Sequence, residues 1–143
     1  WPEIGNGQVE LIEDFQLQIE HALDLSGRRL AVFVDAGSGT PAPFDFRRIF
    51  ASTAVAHTSH ALSPEAVLQV FHQTEGQTPP PAFVLGVRGE SFELGAALSA
   101  AASAHAAAAL ALLAQLLARP ELAAWQSLTT GATETTAAMG DAG

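Results

Sequence analysis

Leu30-Ala-Val-Phe-Val-Asp-Ala36 is the stretch on which the reading of this chain turns. A continuous apolar run rich in β-branched and aromatic residues suits a strand covered on both faces, hence the middle of a parallel sheet. The run ends in an acid, Asp35, followed by Gly37. A second run of the same kind, Phe83-Val-Leu-Gly-Val87, ends in Arg88-Gly89-Glu90. Between the two, Ser38-Gly-Thr-Pro-Ala-Pro43 breaks regular structure, and Phe44, Phe46 and Ile49 predict an edge strand kept soluble by Arg47 and Arg48. Ser63-Pro64-Glu65 supplies an N-cap, a proline for the first helical position and an acid for the first turn, predicting a helix from about Pro64 to Phe71. The loop Gly76-Gln-Thr-Pro-Pro-Pro81 that follows is stiff and extended.

Working outward, Gln8 to Phe15 alternates polar and apolar residues up to the acidic pair Glu13-Asp14, the pattern of a half-buried strand. Leu17, Ile19, Ala22, Leu23 and Leu25 recur at roughly helical spacing until Gly27. Near the other end, Ala96 to Arg119 reads as one helix, with Leu110, Leu113 and Leu117 on one stripe, Leu112 and Leu116 beside it, and Pro120 as its stop. It is long enough for a membrane, but its alanines, Ser99, Ser103, His105 and Gln115 favour a soluble helix. From Gln126 onward the chain is Thr, Ala and Gly, too poor in large apolar groups to offset its ordering entropy. The expectation is one α/β domain over residues 1–119 and a disordered tail over 120–143, with Leu122 and Trp125 docking. Trp1-Pro2-Glu3 has neither an initiator Met nor a signal-peptide pattern, which suggests a fragment.

Composition narrows the function classes. A chain of 143 residues, 48% hydrophobic, builds one core. Its net charge of −9, with all 6 basic residues Arg, argues against nucleic acid as a partner. Without any Cys, disulfides and thiolate chemistry are excluded, and His and carboxylates are left as metal ligands; a cytoplasmic setting fits. Alternating strands and helices predict a mostly parallel sheet with helices on both faces, a three-layer α/β/α arrangement. In such sheets the chemistry lies beyond the carboxyl ends of the strands, where Glu13, Asp14, Asp35 and Glu90 fall.

Asp35 is the sharpest candidate. At the mouth of a buried strand a carboxylate requires a cation or hydrogen-bond donors; the competing reading is an Asp that caps a turn before Gly37. His57 and His60 precede the helix start, where an imidazole can turn toward the same cleft, and they equally suit an ordinary surface loop. His21 and His105 fall inside helices and His72 near a helix C-terminus, where a cation is favoured in any case. Gly37-Ser38-Gly39 lacks the spacing of a nucleophile elbow, which excludes a Ser/His/Asp hydrolase, and Gly5-Asn6-Gly7 precedes a strand and reads as a turn.

Val9-Glu-Leu-Ile-Glu13, Leu30 to Ala36, Ser59-His-Ala-Leu-Ser-Pro-Glu-Ala-Val-Leu68, and Gly86-Val-Arg-Gly-Glu90 with Glu93 and Gly95 beyond together resemble the hydrogenase maturation proteases, over about Val9 to Leu117. The resemblance implies an endopeptidase that removes the C-terminal extension of a nickel-iron hydrogenase large-subunit precursor once nickel is inserted. It acts as a monomer, away from membranes, and the nickel is carried by the substrate. By the same resemblance Asp35 and His60 contact that nickel, and Glu13 lines the cleft as the weaker candidate for general base. Asp14, Phe15 and Gln16 replace a Gly-rich turn common among relatives, suggesting a different substrate preference. The family opens with a strand ending in Gly-x-Gly-Asn, an acid-bearing loop and a helix, and none of these precedes Trp1. The implied chain therefore lacks the family's first strand and helix, keeps two of three ligands, and has reduced stability and metal affinity. The alternatives are a non-cleaving relative that binds or senses the nickel-loaded subunit, and an α/β domain whose acids and imidazoles are structural.

Overall fold

In the computed structural model, residues 9–12, 17, 19–37, 40–52, 62–89 and 100–130 are described. They form a mixed α/β structure. Three strands, β1 (Ala31–Gly37), β2 (Phe44–Ile49) and β3 (Ala82–Arg88), make one sheet in the order β1-β3-β2. The Ala31 amide donates to the Pro81 carbonyl and the Gly89 amide to the Gly37 carbonyl, so β1 and β3 run parallel with Ala31 opposite Ala82 and Gly37 opposite Arg88. The Arg88 amide donates to the Pro43 carbonyl, joining the end of β3 to the start of β2, so that pair is antiparallel. The expected mostly parallel sheet is thus, among the described residues, a mixed one.

This strand order explains which apolar run is buried. Central β3 has Ala82, Phe83, Val84 and Leu85 buried in succession, as a strand paired on both sides should. β1 carries an equally apolar sequence but lies at the sheet edge: Ala31, Val32 and Phe33 are half-buried, and Val34, Asp35 and Ala36 are exposed. The expectation that Leu30–Val34 is covered on both faces is therefore corrected. β2 is an edge strand as its Phe/Arg pattern predicts, with Phe46 and Ile49 buried and Arg47 exposed.

The chain divides into two compact units. The first comprises Trp1–Phe33 and Ile49–Phe83. In it a 3₁₀ helix, Ile19–Leu25, packs against helix α1, Pro64–Glu75. A 3₁₀ helix repeats every three residues, which puts Ala22 and Leu25 together in the core and leaves Leu23 exposed. Gly27, at φ +76°, ends the run in the left-handed conformation that a side chain resists. α1 begins as its sequence predicts, with Ser63 Oγ accepting from the Ala66 amide at 3.1 Å and Pro64 at the first position. It runs one turn beyond Phe71, to an αL Gly76 whose amide donates to the His72 carbonyl. Val67, Leu68 and Phe71 form its buried stripe. Ser63→Ala removes an N-cap and should cost about 1 kcal/mol, readable as a lower urea midpoint with an unchanged m-value.

Val9–Ile12, expected within a half-buried strand, is irregular, with Leu11 and Ile12 exposed. Alternation alone does not make a strand: the pattern is realised only where a ladder partner exists, and Val9–Ile12 has none among the described residues.

The second unit comprises Val34–Arg48 and Val84–Gly143. Helix α2, Ala100–Ala118, buries Ala102, Ala109, Leu112 and Leu116, a seam at alternating spacings of three and four whose intervening position is half-buried His105. The expected Leu110 stripe is displaced: Leu110 is 53% exposed. Among the described residues α2 is the one helix long and apolar enough to cross a membrane by length and composition, and 22% of that span is buried. Beyond Pro120 the chain makes a further helix, α3, Leu122–Ser127, and Trp125 is its anchor. The indole is 4% exposed, and its Nε1–H lies 2.9 Å from the Leu116 carbonyl and 3.0 Å from that of Arg119, satisfying two carbonyls at the end of α2. Thr130 then pairs with Phe46 through its amide, at 2.7 Å, and its hydroxyl, at 2.9 Å, covering part of the outer edge of β2. The docking of Trp125 is as expected; within the segment expected as a tail, Leu122–Ser127 is helical, and residues 131–143 lie outside the described residues.

Candidate functional site

The carboxyl ends of β1 and β3 lie side by side because the strands are parallel and in register through Gly37 and Arg88. The Gly37 carbonyl accepts from two amides, Gly89 at 3.0 Å and Thr40 at 3.3 Å. The Arg88 guanidinium donates to the Thr40 carbonyl at 2.8 Å, and its own amide holds Pro43. Thr40 is thereby fixed over the strand ends. A Cβ on Gly86 would meet Thr40 Cγ2 at 3.2 Å, and one on Gly37 would meet Thr40 Oγ1 at 3.2 Å. A methyl at either position would lie closer to the Thr40 side chain than ordinary van der Waals contact, so Thr40 would have to give by a few tenths of an ångström. Gly86→Ala should therefore cost about 1–2 kcal/mol through overpacking, and Thr40→Ser, which removes the opposing methyl, should recover most of it. A thermal-melt double-mutant cycle showing no coupling would reject this contact.

Asp35 lies two residues before Gly37, inside β1 and not after it. Its carboxylate is exposed, so the expectation of a desolvated acid at the mouth of a buried strand is corrected. Oδ1 accepts from the Ala36 amide at 2.8 Å. The alternating ladder explains that bond. Residues 31, 33, 35 and 37 direct their backbone groups to β3, while Val34 and Ala36 direct theirs to the open side, where Asp35 takes the Ala36 amide. No cation pairs with Asp35 among the described residues.

The other expected site residues, Glu13, Asp14, His57, His60 and Glu90, lie outside the described residues, as do Ser38, Gly39, Glu93 and Gly95. The convergence of Asp35 with His60 or Glu13 is thus not defined by the described geometry. Among the described residues no group of three or more His, Asp or Glu could hold a metal ion. Of the remaining imidazoles, His72 Nδ1 lies 3.1 Å from the Gln77 carbonyl, which only accepts, so that nitrogen carries the proton. Its place at the end of α1 accounts for it without chemistry.

No protein-family model matches the chain, and neither a curated protein nor a solved structure shows significant similarity to it. Thr40 and Arg88, which organise the strand ends, are the residues that sequence reasoning passed over. The signal for them was Gly86: a glycine inside an apolar strand marks a close approach by another group.

Proposed function

We propose that the chain is an endopeptidase of the hydrogenase-maturation type, acting on the C-terminal extension of a nickel-loaded large-subunit precursor in the cytoplasm. The observation that carries the reading is the exposed carboxylate of Asp35 on the final half of β1, parallel to β3. In parallel α/β sheets this is the end at which ligands are met. The three-layer arrangement implied by the sequence resemblance belongs to the same proposal.

In this reading Asp35 and His60 contact the nickel that the client holds, positioning the scissile bond. Water adds to the scissile carbonyl carbon and gives its proton to the general base, for which Glu13 is the candidate. The proton passes to the leaving nitrogen as the C–N bond breaks, giving a new carboxyl terminus and a free extension peptide. Phosphoryl or nucleic-acid chemistry finds no support in a chain of net charge −9.

The second reading, a relative that binds the loaded subunit without cutting, is favoured by one observation: Asp35 Oδ1 already holds a backbone amide. Intact-mass spectrometry of purified nickel-loaded precursor incubated with the chain separates the two. Loss of the extension mass supports cleavage; stable co-elution at unchanged mass supports the binder; if neither is seen, the family reading falls.

A further inference from the structure

The open edge of β1 has main-chain groups, unpaired among the described residues, that the protease reading does not use, beside the Asp35 carboxylate that it does use. Val34 is 55% exposed, and its N–H and C=O point away from β3, as does the C=O of Ala36. None of these groups meets a partner among the described residues. An exposed β-branched side chain on an unpaired strand edge is the arrangement that an added strand completes, since main-chain bonds then supply affinity and flanking side chains supply specificity. The opposite edge of the sheet differs, because Thr130 already takes both outward groups of Phe46. β1 thus holds the open side at Val34–Ala36.

Charge selects the occupant. Asp35 places an exposed carboxylate on this edge, within a chain of net charge −9. A second copy would bring two such carboxylates together and add a second −9 to the first, which disfavours self-pairing. An extended peptide with a basic side chain is complementary. Drawing Asp35 toward that cation would also release the Ala36 amide now held by Oδ1, adding a donor to the ladder. We propose that the edge Val34–Ala36 is a docking site for an extended peptide, added as a strand, with an Arg or Lys of the peptide seated beside Asp35. This inference does not depend on whether the chain cleaves anything.

The test uses the full chain and a synthetic acetylated peptide, Thr-Val-Arg-Val-Thr amide. Expected are saturable shifts of the Val34 and Ala36 amide resonances, and hydrogen exchange at Val34 slowed about tenfold when the peptide is at ten times its dissociation constant. Val34→Pro removes an outward N–H without touching the bonds to β3, a substitution that edge strands tolerate, and it should weaken binding at least tenfold. N-methylation of the peptide's central residues should do the same with no change to the protein. Replacing the peptide's Arg by Thr should weaken binding severalfold to wild type and leave binding to Asp35→Asn unchanged. Absence of saturable shifts, equal binding of the N-methylated peptide, or dimerisation through Val34 on sedimentation would each overturn the proposal.

Discussion

Phe83→Ala is expected to lower stability by about 3–5 kcal/mol, among the largest costs of any single truncation in this chain. Phe83 is fully buried on the first half of β3, in the unit that also buries Val67, Leu68 and Phe71 of α1. Removing the ring forfeits its transfer free energy and leaves a cavity that central β3 cannot close by moving, because the strand is hydrogen-bonded on both sides. For a domain of this size the change should appear as a fall in melting temperature of roughly 10 °C or more. Leu110→Ala is the control. Its side chain is more than half exposed, and an exposed Leu-to-Ala change in a helix should stay within about 0.5 kcal/mol. Equal losses for the two variants would contradict the core described here.

The same comparison shows what the sequence makes legible. Two apolar runs of similar composition, Leu30–Val34 and Phe83–Val87, are both recognisable as strands. Their burial differs because strand order, a long-range property, assigns one to the centre and the other to the edge. Local chemistry predicts the start of α1 to the residue, since Ser63, Pro64 and Glu65 act within one turn. The extra turn beyond Phe71 depends on Gly76 adopting a left-handed conformation, a stop that the sequence also contained. On α2 the choice between the Leu110 and Leu112 stripes could not be made from an alanine-rich sequence, because neighbouring stripes are almost equally apolar. Trp125 was legible as an anchor; the hydroxyl and amide of Thr130 on Phe46 were not, because one threonine in a run of them carries no pattern. For the site, the acid at the end of the Leu30 run was visible at once, while its exposure followed from β1 being an edge.

Asp35→Asn should reduce cleavage of the nickel-loaded precursor by about 100-fold or more while leaving stability within about 0.5 kcal/mol of wild type. The two halves of this expectation have separate physical grounds. Asparagine keeps an oxygen able to accept from the Ala36 amide, so the one hydrogen bond that the Asp35 side chain makes among the described residues survives. The side chain is exposed, so no desolvation term changes on removing its charge. What is lost is the negative charge itself, and a neutral amide is a poor substitute for a carboxylate toward a divalent cation. His60→Ala should produce a loss of the same order if the imidazole is the second contact, and the double variant should be little worse than either single one, because two groups acting on one ion are not additive. Monitoring extension release by mass and folding by thermal melt on the same samples separates chemistry from structure. Wild-type cleavage by Asp35→Asn would remove the protease proposal, whereas undiminished capture of the precursor with no cleavage by wild type or variant would transfer it to the binding reading.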